Sequence, residues 1–162
     1  MDLKTDPPLR LISQAMRRGA NRLADFSSIW PTVAADMAHG IGQNIASKAA
    51  GLEFGPWPQP TAAYARRKAA EGFGRESLVR TGATVAAATN PNSIVGMSRH
   101  YVTLGLRGSK WAHTPALNFP GKRGNGRSYQ FFGWNTPMQK AVEGRLASYV
   151  QRVIDDIVRD AK

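Results

Sequence analysis

The sequence predicts an α+β fold, and three observations carry that reading. Apolar residues recur at three- and four-residue steps towards both ends of the chain, the pattern of helices with one buried face. Between them, Ser93–Met97 and Tyr101–Leu106 are β-branched segments around the polar break Ser98–His100, which reads as an antiparallel hairpin. The 162 residues are 42% hydrophobic and 20% charged, enough to bury a core and too apolar for wholesale disorder.

The elements follow in order. Residues 1–8 are polar with two prolines and read as an extended arm. Leu9, Ile12, Met16, Ala20 and Leu23 then mark the apolar face of a helix whose wet side carries Arg10, Arg17, Arg18 and Arg22. Ser27 or Ser28 is expected to cap a second helix, with Pro31 in its first turn and Val33, Met37, Ile41 and Ile45 on its buried face. Gly40 and Gly42 weaken that helix but suit close packing by a neighbour. Residues 51–60 form a Gly- and Pro-rich loop with Trp57 as its aromatic anchor. Thr61 caps a third helix, Ala62 to about Ala70, which ends near Gly72 and Gly74.

Leu78–Thr89 is compatible with helix or strand. After the hairpin, residues 107–128 read as a long basic loop, with one helical turn expected over Trp111–Leu117. Tyr129–Trp134 is an aromatic strand or extended segment. Thr136, Pro137 and Gln139 suggest a capping box for the last helix. Val142, Leu146, Tyr149, Val150, Val153 and Ile157 form its apolar stripe; Lys140, Arg145, Arg152 and Asp156 are assigned to water. Residues 1–26 thus form an arm and a basic amphipathic helix, and 27–162 a single α+β domain with an extended basic loop at 107–128.

Charge is distributed unevenly. The formal net charge is +11, yet no acid lies between Ser77 and Val142, where eight Lys and Arg residues sit. Such a window suits a phosphate backbone or an acidic protein neighbour; the plainer reading is a solvated basic face. Chemistry is poorly represented. There is no Cys, which excludes a disulfide framework and thiolate chemistry. The three histidines, His39, His100 and His113, stand without ligand spacing. The loop Phe119–Ser128 is rich in glycine, but Lys122 is followed by Arg123 instead of Ser or Thr, so it is not a P-loop. The sequence is therefore read as non-enzymatic, with no cofactor and no metal. No apolar run approaches the roughly 20 residues that cross a bilayer, so no membrane partner is expected.

The order of motifs carries more information than any single one. Trp57-Pro58-Gln59-Pro60-Thr61 leads into Ala62–Lys68, and Leu78-Val79-Arg80-Thr81-Gly82 follows. Then come Tyr101-Val102-Thr103-Leu104-Gly105, the segment Trp111–Phe119, Phe131-Phe132-Gly133-Trp134-Asn135, and a terminal amphipathic helix. The series resembles the virion morphogenesis, or tail completion, proteins of tailed bacteriophages, over residues 27–160. The resemblance implies a small antiparallel sheet flanked by helices, with a long C-terminal helix. It also implies a structural virion component of the head–tail junction, made in the host bacterial cytoplasm. Such a component acts as a neck, tail completion or tail terminator ring, expected with six copies, that joins or caps the tail and lets DNA pass. Implied partners are further copies of the chain, neighbouring neck or connector proteins, and tail-tube or tail-sheath proteins, with non-specific contact to packaged DNA. Candidate interface or DNA-facing residues are Arg80, Arg99, Arg107, Lys110, Trp111, Lys122, Arg123 and Arg127, with Trp57 as loop anchor. The alternative function is a nucleic-acid-binding protein using the acid-free stretch 77–142.

Overall fold

A computed structural model describes residues 9–48, 57, 59–73, 83–106 and 132–161. The fold is α+β. Helix α1 spans Leu9–Leu23, and a 3-10 turn, Ser27–Ile29, leads into α2, Trp30–Ala46. Helices α3, Ala62–Ala70, and α4, Ala83–Ala88, precede the strands β1, Ile94–Met97, and β2, Val102–Leu104. The chain closes with α5, Thr136–Asp160, 25 residues long. The described part of Leu78–Thr89, a segment compatible with helix or strand, adopts helix at α4. Ala-rich sequence favours helix in the absence of a strand partner.

Two apolar clusters share α2 and α5. In one, Ala34, Ala38 and Ile41 meet Trp57, Ala88, Leu104 and Met138. In the other, Ile29, Trp30 and Val33 meet Val142, Tyr149 and Val153. Helix α2 lies between them, so more than the single predicted face is covered: Trp30, Ala34, Ala38 and Asn44 are buried, while Met37 and Ile45 are half-buried. The close packing expected at the glycines occurs at Gly40. A Cβ there would lie 2.6 Å from Met138 Cβ, whereas Gly42 has only Thr89 Cγ2 at 3.5 Å.

Helix ends follow local chemistry, with two corrections. Thr61 caps α3 as expected, its hydroxyl accepting the Tyr64 N–H at 3.3 Å. Gly72, at φ +78°, ends that helix in a Schellman turn, with Phe73 N–H donating to the Lys68 carbonyl at 2.9 Å. Ser27 and Ser28 do not cap α2. A 3-10 turn precedes α2 instead, and Asp25 Oδ1 accepts the N–H of its first residue, Ser27, at 2.9 Å. The last helix is capped by Asn135, not Thr136: Asn135 Oδ1 accepts the Met138 N–H at 2.7 Å, and Gln139 turns forward to Glu143 at 2.8 Å. Asn outranks Thr as a cap, and here its amide also bonds the core.

Helix α1 packs antiparallel on the C-terminal half of α5 and is rotated from the predicted face. Ala15 and Gly19 are buried, whereas Leu9, Met16 and Ala20 are exposed. The cause is Gly19: a side chain there would overlap Ile157, so the missing Cβ sets the approach. Arg18 and Asp160 then pair at 3.1 Å, and Arg22 and Asp156 at 2.5 Å. Asp156, assigned to water by the helical pattern, holds Arg22 and also Arg159 at 2.7 Å.

Candidate interaction surface

The two-residue tip of the hairpin, Arg99-His100, is fastened to the junction between α1 and α2. The strands pair antiparallel, Met97 with Val102 and Ile94 with Leu104, with an irregularity between Ile94 and Gly96. Ser98 N–H donates to the Tyr101 carbonyl at 2.9 Å and closes the turn. Ser98 Oγ accepts the His100 N–H at 3.2 Å. Trp30 Nε1–H donates to the Ser98 carbonyl at 2.7 Å, and Phe26 N–H to the Arg99 carbonyl at 2.9 Å. The backbone of Arg99 is therefore fixed by helices distant in sequence, while its side chain is 75% exposed.

Beneath the tip, Phe26 stacks on Trp30 with centroids 5.8 Å apart and tilts against Tyr149 at 5.3 Å. The Tyr149 hydroxyl donates towards the carbonyls of Arg22, at 2.9 Å, and Asp25, at 3.1 Å. Asp25 is held below the usual carboxylate range, first by its hydrogen bonds with Ser27 and then by Arg99 and His100. Arg99 Nε lies 3.6 Å from Asp25 Oδ2. An open cleft of about 430 Å³ borders this junction, lined by Asn21, Arg22, Asp25, Ser27, Ser28 and Tyr149. A second groove of about 270 Å³, lined by Met37, Ile41, Leu104, Phe132, Gly133, Trp134 and Met138, opens beside the exposed Trp134.

Of the sequence-predicted residues, Arg99 stands at the hairpin tip and Trp57 lies in the core. Trp57 is buried among Ala34, Ala38 and Met138, and its N–H donates to the Lys48 carbonyl at 2.7 Å. Trp57 thus packs within the chain's own core. Arg80, Arg107, Lys110, Trp111, Lys122, Arg123 and Arg127 lie outside the described residues, as do the loop 107–128, its expected helical turn, the arm 1–8 and His113. Of the aromatic segment expected as strand or extended chain, Phe132–Trp134 forms a bend leading into α5, and Tyr129, Gln130 and Phe131 lie outside the described residues.

Sequence reasoning missed an amide pair between the buried Asn44 and the half-buried Asn135. Asn44 Nδ2 donates to the Gly133 carbonyl at 2.8 Å, and Asn135 Nδ2 donates to Asn44 Oδ1 at 2.6 Å and to the Gly40 carbonyl at 3.2 Å. The pair clamps the bend Gly133–Asn135 to α2. Asn135 carried a weak signal, as a capping residue directly before Thr-Pro; Asn44 carried none. His39 and His100 are exposed, with His39 Nε2 3.2 Å from Gln43 Nε2. Among the described residues, no three His, Asp or Glu side chains gather to hold a metal, and no helix is long and apolar enough to cross a membrane. Compared with known proteins, the chain matches no family model, no curated protein and no solved structure. The arrangement is a hairpin tip with a fixed backbone, on which the exposed Arg99 side chain faces Asp25.

Proposed function

We propose that the chain is a structural component of a phage head–tail junction, a neck, tail completion or tail terminator subunit that assembles as a ring. The observation that carries this reading is the ordered motif series from Trp57 to the terminal helix. The described members of that series support an architectural role, since each does a structural task. Trp57 fills the core, Thr61 caps α3, Tyr101–Leu104 builds the hairpin, and Asn135 caps α5. In this reading Arg99 and the other basic residues of 77–142 face an acidic neighbour ring or the packaged DNA.

The test is composition and mass. Purified virions are expected to contain the protein at a fixed copy number, consistent with a ring of six, and the free protein is expected to bind tail-tube or connector proteins. A protein absent from virions and indifferent to those partners refutes the proposal. Duplex DNA titration separates the alternative. A nucleic-acid-binding role requires affinity whose logarithm falls with log salt at a slope of about −0.9 per phosphate contacted. In the ring reading, free DNA binding is weak and Arg99→Glu acts mainly on partner binding.

A further inference from the structure

The seam between α1 and α5 is asymmetric. Gly19 meets Val153 and Ile157, and Arg22 and Arg18 pair with Asp156 and Asp160. These contacts fix an antiparallel register in which Met16 is level with Val158 and Ala20 with Ile154. At about 100° per residue, the ion pairs occupy one flank of the seam. Met16 and Ala20 fall on the opposite flank of α1, and Ile154 and Val158 on the same flank of α5. That flank is apolar and open: Met16 is 61%, Val158 53% and Ile154 42% exposed. Leu9 extends the same line at the start of α1 and is 67% exposed. Contiguous apolar positions along two adjacent helices mark a contact surface.

Charge selects the occupant. Arg17 stands beyond the apolar line on the outer side of α1 and has no ion-pair partner among the described residues. Asp155 stands on the outer side of α5, where its carboxylate accepts a hydrogen bond from Gln151 at 2.8 Å and has no ion-pair partner among the described residues. The face therefore has a cation, Arg17, beyond its α1 edge and a carboxylate, Asp155, beyond its α5 edge. A second copy related by a two-fold axis parallel to the helices lays α1 over the partner's α5. Each Arg17 then meets the Asp155 edge of the other copy. The other two-fold arrangement sets Arg17 against its own equivalent and is disfavoured by like charge.

We infer that this face is a self-association surface on which two copies pair as an antiparallel four-helix layer, through Met16, Ile154 and Val158, rimmed by Arg17 and Asp155. A two-fold contact closes at two copies, whereas a ring grows head to tail. The pairing is thus additional to the proposed ring contact and stands independently of it.

The experiment is sedimentation velocity of the full chain over a concentration series, with circular dichroism to confirm folding. The wild type is expected to form dimers. Met16→Lys and Ile154→Lys, both at exposed positions, are expected to leave folded monomers. Arg17→Glu and Asp155→Arg alone each weaken dimerisation by about tenfold by opposing like charges. The double reversal returns affinity to within about threefold of wild type. A wild type monomeric at every concentration overturns the inference, as do dimers indifferent to these substitutions or a double reversal that fails to restore pairing. A monomer that instead binds phosphatidylglycerol vesicles through α1 overturns it in favour of a lipid surface. Monomers still incorporated into virions overturn the pairing and leave the ring proposal intact.

Discussion

Asn135 couples two structural tasks in one side chain. Its oxygen caps α5, and its amide nitrogen bonds Asn44 and the Gly40 carbonyl. Asn135→Ala removes the cap and the hydrogen bonds from its amide to Asn44 and to the Gly40 carbonyl. The expected loss is about 2 kcal/mol in urea unfolding, whereas Thr136→Ala and Gln139→Ala stay within about 0.5 kcal/mol, as is usual for surface changes. A larger loss at Thr136 than at Asn135 contradicts the observed cap. Trp57→Ala empties the centre of a cluster and is expected to cost about 3–5 kcal/mol, measured in the same way. The identity of the cap was not legible because Asn135 and Thr136 are both capping residues, one position apart. The tertiary bonds of the Asn amide decide between them.

At the scale of elements, approach distance is set by glycine. Gly40→Ala forces a Cβ against Met138 Cβ, and overpacking at this crossing is expected to cost about 1–3 kcal/mol. Gly42→Ala meets only ordinary contact and is expected to be neutral or to gain up to about 1 kcal/mol from helix propensity. Thermal unfolding of the two variants separates them. Helix existence was legible from periodicity, and the positions of α2, α3, the hairpin and α5 follow it closely. The face of α1 was not. Periodicity favours the large residues Leu9 and Met16, but the neighbouring helix needs the smallest residues, Ala15 and Gly19, at the contact.

The whole molecule responds to pH through its carboxylates. Asp156 is held below its ordinary value, first by the hydrogen bond from Arg22, and Asp25 by its bonds with Ser27. A carboxylate depressed in the folded state stabilises the fold above its unfolded value, 3.8. That stabilisation is lost as pH falls through the lower folded value. Wild type is therefore expected to lose stability as pH drops below about 4. Asp156→Asn is expected to be less stable at neutral pH and flatter on the acid limb, read from unfolding midpoints across pH. The same pairings shape the charge distribution. Asp25, Asp36, Asp156 and Asp160 each hold an arginine within the fold. These four carboxylates and their arginines are thereby engaged within the fold, and one of those arginines, Arg99, belongs to the acid-free window.

The sequence by itself determined the helical character of α1, α2, α3 and α5, the helix ends at Thr61 and Gly72, and the hairpin. These depend on local propensity and on periodicity within one segment. The candidate surface was legible only as a charge window with Arg99 inside it. Tertiary structure alone decided that Arg99 sits on a tip fixed by Phe26 and Trp30, that Asn44 and Asn135 meet across 91 positions, and which flank of α1 stays open. Each of these depends on contacts between residues far apart in the chain, and a pattern read along one segment carries no information about what the next segment places against it.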